Sequence, residues 1–240
     1  MRYKKNFSVM IHDVGYNDLA RPSAVWRYMQ EAANHQLREE KPTFKELLQD
    51  GKTFILSRMR LVCASPLRAY EHITVETWDA GGRGASFFRG YRILRGEETV
   101  AEGDSVWAMV HTADRTLCRV DENPLSYSRD DPPTLPLPSR LRLPEEGFSP
   151  AGEKEIRLSD IDFLGHMNNT HYPDMLWDFV PEGERRFLRS LMIDYRHDAP
   201  LGSRVEITRR AEGDIFLFRT FRDGLINVEA RAETGLLPEG

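Results

Sequence analysis

The sequence predicts an α+β protein built from two similar halves, each with one long helix and an antiparallel sheet. In each half, a single helical pattern is followed by runs rich in β-branched and aromatic residues, which are typical of strands. The halves repeat the same order of elements. Residues 121–150 separate the halves and hold seven of the fourteen prolines. Because proline disfavours the interior of helices and sheets, this stretch is predicted to be a linker.

In the first half, a strand is predicted at 6–12, and a helix begins near Pro22 and Ser23. Apolar side chains then recur on one helical face: Val25, Tyr28, Met29, Ala32, Ala33 and Leu37. Four strands follow, at 54–62, 72–78, 86–94 and 100–110, with glycine-containing turns at 81–84 and 95–98.

The second half repeats this order. A short strand is predicted at 155–158 and a helix at 169–179, which Pro181 terminates. Four strands are then predicted at 191–196, 204–208, 215–221 and 225–232.

Shared spacings predict an internal duplication. Asp18 and Tyr28 are ten residues apart, as are Asp162 and Tyr172, and a Pro-Leu pair precedes an Ile-Thr pair by the same interval in both halves. The predicted domains are 1–120 and 151–240, joined by the linker 121–150. Because a sheet and a helix each have one apolar face to cover, each sheet should wrap around its helix.

Residues 159–172 hold a cluster of polar side chains: the carboxylates of Asp160 and Asp162, the imidazole of His166 and two amides, Asn168 and Asn169. A carboxylate beside a helix N-terminus could activate water while free backbone N–H groups hold an oxyanion. An acidic turn capped by asparagine is the alternative.

The duplication helps to choose between these interpretations. Counting back from the tyrosines aligns His166, Asn168 and Asn169 with Pro22, Ala24 and Val25, and the Pro-Leu pairs align Asp198 with Ala64. The first half therefore lacks most of the polar groups. Since the fold does not require them, a function is favoured.

The composition favours some classes of protein over others. The chain is 40% hydrophobic and 30% charged, with a net charge of −5, which disfavours nucleic acid as a partner. Cys63 and Cys118 are far apart and offer neither a disulfide framework nor metal-ligand spacing. No apolar run reaches membrane-spanning length. We therefore expect a cytoplasmic protein without metal, cofactor or membrane insertion.

The pattern Asp-x-x-Gly-His-x-Asn-Asn-x-x-Tyr at 162–172 resembles the active-site signature of hotdog-fold thioesterases. The resemblance extends along the chain and narrows to the plant-type and bacterial acyl-acyl carrier protein (acyl-ACP) thioesterases. Four further segments support it: Met29-Gln-Glu-Ala-Ala-Asn-His35, Val75-Glu-Thr-Trp78, Ser105-Val-Trp-Ala-Met109 and Ile193-Asp-Tyr-Arg196. It implies two tandem hotdog domains, with the acyl chain in the first and the hydrolytic site in the second.

Three positions depart from the family pattern. Leu164 replaces an asparagine, Ala199 replaces a cysteine once assigned as nucleophile, and Asp198 replaces a glutamate. The resemblance then implies a catalytic set of Asp162, His166, Asn168 and Asp198, with Gly165 and Asn169 at the oxyanion site and helix N-terminus. Asp162 would align or activate water, or attack the thioester directly.

The implied activity is hydrolysis of fatty acyl-ACP to free fatty acid and holo-ACP, which terminates fatty acid synthesis. The first helix should supply the wall of the acyl tunnel, through Val25, Met29, Ala32 and Ala33. ACP is acidic, so a basic dock is expected at Arg83, Arg89 and Arg92.

Several alternatives stay open. They are an acyl-coenzyme A thioesterase, a hotdog hydratase, and a non-catalytic acyl- or carrier-binding module. The chain could be a monomer or a homodimer.

Overall fold

The computed structural model describes residues 2–119, 131–136 and 138–237. In chain order the elements are β1 (Tyr3–Ser8), α1 (Pro22–Glu39), α2 (Phe44–Gln49), β2 (Lys52–Cys63), β3 (His72–Arg83), β4 (Ser86–Arg95), β5 (Glu98–His111), β6 (Ser149–Glu155), α3 (Tyr172–Trp177), β7 (Arg186–Tyr195), β8 (Arg204–Glu212), β9 (Ile215–Arg222) and β10 (Leu225–Leu236).

The ten strands form a single antiparallel sheet in the order β1-β3-β4-β5-β2-β7-β10-β9-β8-β6. The order in the second half is the reverse of that in the first, so β2 and β7 meet at a local twofold axis. They pair from Arg58 opposite Asp194 to Val62 opposite Ser190. The predicted fold class, two tandem hotdog domains, is confirmed.

Helix α1 begins at Pro22, as predicted, because proline is well suited to the first turn of a helix. Its apolar face packs against the sheet, mainly β3, and Trp26, Met29 and Ala32 are fully buried there. Burial of a large apolar side chain such as Met29 contributes roughly 1.5–3 kcal/mol. Of the helices in the described ranges, none is long and apolar enough to cross a membrane.

Helix α3 is much shorter than the predicted 169–179 helix and spans only Tyr172–Trp177. The cause is local hydrogen bonding before it. The N–H group of His171 donates to the carbonyl oxygen of Asn168 at 2.9 Å, which forms a separate turn, and Pro173 then opens the helix. The prediction that the helix begins at Asn169 is wrong.

The first strand of each half also lies earlier than predicted. β1 spans Tyr3–Ser8, because residues 11–13 form a 3-10 turn, and β6 spans Ser149–Glu155. β6 accommodates Pro150 because it is an edge strand, where a missing N–H donor is tolerated.

The described part of the linker, residues 131–136 and 138–150, lies against the sheet. The indole N–H of Trp78 donates to the carbonyl oxygen of Pro132 (3.2 Å), and the N–H of Leu141 donates to Asp194 (3.0 Å). Farther along, Arg210 donates to the carbonyl oxygen of Glu146 (2.9 Å). The linker thus contacts β3 first, then β7 and then β8. It covers buried charge, since Asp194 is only 2% exposed.

Candidate active site

The polar segment forms a tight hairpin, here called the second-half turn (161–168). Ile161 pairs with Met167 in an antiparallel bridge, and the N–H of Asp162 donates to the carbonyl oxygen of His166 at 3.0 Å. The N–H of Gly165 donates back to the carbonyl oxygen of Asp162 (3.0 Å). Gly165 has a φ of +83°, a left-handed conformation that favours glycine.

The carboxylate of Asp162 is oriented by this turn. Its Oδ1 accepts the N–H of Leu164 at 2.8 Å, and the side chain is half-buried. One carboxylate oxygen is thus bound to the backbone, and none of the described residues donates a hydrogen bond to the other. This arrangement is suited to positioning a water molecule or a carbonyl carbon.

Backbone pairing brings a second segment beside the turn. His166 bridges to Pro200, and the N–H of Met167 donates to the carbonyl oxygen of Ala199 at 2.8 Å. Asp198 therefore lies next to the turn. Its carboxylate accepts hydrogen bonds from Arg115 (3.1 Å) and Arg222 (3.4 Å). The His166 ring makes no hydrogen bond to any residue that the structure describes, so it is free to meet a substrate.

The negative charges of Asp162 and Asp198 both affect the pKa of Tyr172. Burial is the main cause that raises the pKa of its phenol to about 12, and the negative charges of Asp198 and Asp162 raise it further. A hydrogen bond from Asn227 (3.1 Å) acts in the opposite direction. Both carboxylates therefore lie within electrostatic range of this one hydroxyl.

The structure distinguishes the two asparagines, and only Asn169 departs from its predicted place at the helix N-terminus. Asn168, and not Asn169, has the capping geometry, because its Oδ1 accepts both the N–H and the hydroxyl of Thr170 at 2.9 Å. Its Nδ2 donates to none of the described residues. Asn169 lies three residues before α3, and its carbonyl oxygen accepts the Tyr195 hydroxyl at 2.8 Å.

The predicted oxyanion donors in the backbone are mostly engaged. Gly165 donates to Asp162, Met167 to Ala199, and Asn168 to the carbonyl oxygen of Asp160 at 2.8 Å. The expectation that the Gly165 N–H binds an oxyanion is therefore wrong, because the hairpin uses it. The side-chain amide of Asn168 is a donor that the fold leaves available.

A cavity of about 450 Å³, here called the main cavity, lies between α1, the first-half sheet and the second-half turn. Asp162, Asn168 and Asn169 line its polar end, whereas His166 and Asp198 are not in its wall. The rest of its wall combines an aromatic and aliphatic patch, Leu37, Phe44, Phe54, Phe87 and Trp107, with polar side chains of α1, β3 and β4, including Glu31, Arg38, Asp79 and Arg89. The rings of Phe44 and Phe163 meet edge to face at 5.5 Å beside the turn.

Only one of the four α1 residues predicted to line the tunnel does so. Ala33 is in the wall of the main cavity, Met29 and Ala32 are fully buried in the core, and Val25 lines a second cavity. The lining face of α1 is instead the stripe Gln30, Ala33, Asn34 and Leu37. This stripe has helical i, i+3, i+4, i+7 spacing, but it is more polar than the core face.

The predicted basic dock is not formed. Arg83 is exposed at the end of β3, whereas Arg89 points inward and donates to Gln36 at 2.7 Å. Arg92 pairs with Glu102 at 3.1 Å. Since residues three apart in a strand face opposite sides, Arg89 and Arg92 cannot share one surface.

The backbone also corrects the alignment of the two halves. In the first-half turn (14–21), the N–H of Gly15 donates to the carbonyl oxygen of Leu19 (2.9 Å), just as Asp162 donates to His166. Asp18, with a φ of +60°, takes the place of Gly165 and not of Asp162. The N–H of Ala20 donates to the carbonyl oxygen of Leu67 (2.8 Å), as Met167 does to Ala199.

The corrected alignment gives further support to a functional role for the polar residues of the second half. The counterparts of Asp162, His166, Asn168, Asn169 and Asp198 are Gly15, Leu19, Arg21, Pro22 and Pro66. None of the five polar residues is repeated. A second cavity of about 310 Å³ lies beside the first-half turn and is bounded by α3 and the start of β7. It occupies the place related to the main cavity by the local twofold axis.

Comparison with known proteins agrees with this geometry. The family model described as the acyl-ACP thioesterase N-terminal domain matches residues 1–127, and that of the C-terminal domain matches residues 149–232. A chloroplastic palmitoyl-acyl carrier protein thioesterase from Arabidopsis thaliana is 25% identical over an alignment of 219 residues, which covers 82% of this chain and 52% of that protein. The chain spans about half the length of the curated relatives it matches.

Solved structures share the fold. An acyl-ACP thioesterase from Bacteroides thetaiotaomicron has a TM-score of 0.86 at 19% identity, with 98% of each chain covered. A 12:0-ACP thioesterase from Umbellularia californica has a TM-score of 0.78 at 16% identity, with 98% of this chain and 97% of that chain covered. Because the N-terminal family model alone matches more than half of the chain, this protein belongs to the acyl-ACP thioesterase family.

Proposed function

We propose that this protein hydrolyses fatty acyl-ACP to free fatty acid and holo-ACP, the reaction that terminates fatty acid synthesis. The observation that supports this most strongly is the main cavity. One end presents a positioned carboxylate, Asp162, and a free amide, Asn168, and the other end is an aromatic chamber suited to an alkyl chain.

In the proposed reaction, the thioester carbonyl lies at the second-half turn and the acyl chain extends along the apolar wall. The free oxygen of Asp162 aligns and deprotonates a water molecule that attacks the carbonyl carbon. Direct attack by the carboxylate, with an anhydride intermediate that water then cleaves, is the variant of this mechanism.

The negative charge that develops on the carbonyl oxygen needs a hydrogen-bond donor. Thr170 holds Oδ1 of Asn168, which leaves Nδ2 of the same amide to donate to the oxyanion. A donor of this kind contributes about 10²–10³ in rate. We assign His166 to polarising the carbonyl or protonating the leaving thiolate, and Asp198 to positioning the water, or the His166 ring once substrate is bound.

The two halves divide this work. The first half, proposed as the domain 1–120, supplies most of the chamber wall, and the second half, proposed as 151–240 after the linker 121–150, supplies the reacting groups. The proposed partner is an acyl carrier protein that presents its acyl chain at the second-half turn.

The test is a hydrolysis assay of the purified chain with acyl-ACP and acyl-coenzyme A thioesters of several lengths, measuring free thiol and free fatty acid. We expect thiol and fatty acid in equal amounts from acyl-ACP, and slower release from acyl-coenzyme A. Faster release from acyl-coenzyme A would indicate the alternative carrier. No thiol from any thioester would contradict an enzymatic function and leave a non-catalytic binding module.

A further inference from the structure

We propose that Arg89 ends the apolar part of the main cavity and thereby sets the longest acyl chain that the site accepts. This inference rests on the proposed function, and it adds a residue that determines substrate length. Its basis is a polar layer inside the first-half sheet.

Arg89 lies at the centre of this layer. On β4 it stands opposite Asp79 of β3 and Ser105 of β5. Its guanidinium donates to the Gln36 side-chain oxygen at 2.7 Å and to the Thr77 hydroxyl at 3.1 Å. Gln36 and Thr77 are buried, and Arg89 and Asp79 both line the main cavity. The layer therefore ties α1 to the sheet across the cavity wall.

Hydrogen bonds continue the layer across β5. The Ser105 hydroxyl bonds to the Tyr91 hydroxyl at 3.2 Å and accepts the Trp107 indole N–H at 2.6 Å. Tyr91 and Ser105 are fully buried. These groups satisfy one another, so the layer offers an alkyl chain no vacant apolar space.

The apolar wall stops where this layer starts. Phe54 and Phe87 meet edge to face at 5.4 Å, and Phe87 stands opposite Trp107 in the strand register. Arg89 is the next residue of β4 that faces inward. An acyl chain that continued past these aromatic rings would have to displace a hydrogen-bonded guanidinium, which is costly because burying an unpaired charge is strongly unfavourable.

The second half is apolar at the place equivalent to Arg89. On β9 and β10, the strands that correspond to β4 and β5, the interior is filled by Phe216, Phe218, Ala230 and Ala232, all of which are buried. The buried polar groups of these strands, Thr220 and Asn227, lie farther along and bond to each other (3.1 Å) and to the Tyr172 hydroxyl of α3 (3.1 Å). A hydrogen-bonded guanidinium stands at this place in the half that encloses the main cavity and not in the other, which supports a role for it in that cavity.

The test compares the wild type with Arg89→Met on a panel of acyl-ACP substrates of increasing length. Methionine keeps an unbranched apolar stem of about the length of arginine up to Nε, but it removes the guanidinium with its charge and hydrogen bonds. We expect the ratio of kcat/KM for long to short chains to rise about tenfold or more, because one methylene in an apolar pocket is worth about that factor. Gln36→Leu should shift the ratio in the same direction.

Arg210→Met is the matched control, because Arg210 is a half-buried strand arginine that pairs with Glu212 at 2.7 Å and lines neither cavity. Its length profile should equal that of the wild type. Folded Arg89→Met and Gln36→Leu variants that keep the wild-type profile would overturn the inference. Failure of the wild type to cleave any thioester would instead overturn the proposed function.

A second measurement needs no variant. Binding of free fatty acids to the wild type should tighten with each added pair of carbons until the chain reaches Arg89, and then stop tightening. A uniform gain in affinity through the longest chains would overturn the inference.

Discussion

The two turns of this protein have the same backbone and different chemistry. Both are hairpins closed by the same pair of hydrogen bonds, and both place a residue with positive φ at the same point, Asp18 in one and Gly165 in the other. Yet Gly15 and Leu19 stand where the second-half turn has Asp162 and His166. The backbone of the hairpin is therefore a property of the fold, and the side chains that differ are those available for catalysis.

The cavities beside the two turns also differ, and again the polar groups lie at the second-half turn. The main cavity joins a polar end to an aromatic chamber, whereas the smaller second cavity meets Gly15, Pro22 and Pro66. The duplicated fold provides two equivalent places for an active site. Of the two turns, only the second-half turn carries the polar side chains of Asp162, His166 and Asn168. Comparing equivalent positions in the two halves is thus a direct way to test each functional assignment.

The largest effect is expected from Asp162→Asn. Asparagine can still accept the Leu164 N–H, so the turn should persist while the base or nucleophile is lost. We expect kcat for acyl-ACP hydrolysis to fall about 10²–10⁴-fold.

Asp18→Asn is the matched control in the first-half turn, since asparagine tolerates positive φ as aspartate does. It should leave kcat unchanged. Near-normal hydrolysis by Asp162→Asn would contradict the proposed role of this carboxylate.

Asn168→Asp should have the next largest effect. The variant keeps an oxygen to accept the Thr170 N–H and hydroxyl, but it replaces the free NH₂ donor with a second acceptor. We expect kcat to fall about 10²–10³-fold with little change in the melting temperature. If kcat stayed within a few-fold of the wild type, Asn168 would be only a turn cap.

Asp104 is fully buried on the outer face of the first-half sheet. Arg60 donates hydrogen bonds both to its carboxylate and to the carbonyl oxygen of Pro136. Burial raises the pKa of Asp104 to about 6, against the opposing effect of Arg60. The folded state therefore binds more protons than the unfolded state between about pH 4 and pH 6. The free energy of unfolding should fall by about 2 kcal/mol as the pH rises through this range.

Asp104→Asn removes this titration. Urea unfolding at pH 4.5 and pH 7 should show a smaller difference in free energy for the variant than for the wild type, whatever its absolute stability. An equal difference in the two proteins would contradict the assignment. In the second half, burial likewise raises the pKa of Asp194, against the opposing effect of the hydrogen bond from the Leu141 N–H.

The smallest effect tests the shared backbone. A Cβ at position 165 would meet no atom within 4 Å, so Gly165→Ala should destabilise only through its φ of +83°. We expect a loss of about 1 kcal/mol in unfolding free energy by chemical denaturation. Asp18→Gly, at the equivalent place, should not destabilise. A neutral Gly165→Ala would mean that the turn rearranges without strain.

Much of the fold could be predicted because its signals are local. Strand composition, the Pro22 helix start and the repeated order of elements identified both halves, and the motif at 162–172 identified the turn. The helix start at Asn169 was wrong, because two adjacent amides carry the same capping signal and only hydrogen bonding to Thr170 distinguishes Asn168. The alignment through Asp18 was wrong because aspartate can replace glycine at a positive φ.

Other errors concerned orientation. The predicted tunnel wall followed the most apolar face of α1, but that face contacts the sheet, and the cavity lies along the neighbouring stripe that contains Ala33. The predicted arginine dock ignored strand alternation, which separates Arg89 from Arg92. Strand parity was visible in the sequence and would have corrected this prediction. The face of α1 that borders the cavity was not visible.

The sequence by itself determined the elements, their duplication, and the turn that carries Asp162, His166 and Asn168, because all of these depend on residues near one another in the chain. The tertiary structure decided which surfaces meet. Pairing of β2 with β7 places the second-half turn over the first-half chamber, so residues more than a hundred positions apart share one cavity. That contact depends on how two packed halves fit together, which no local pattern records.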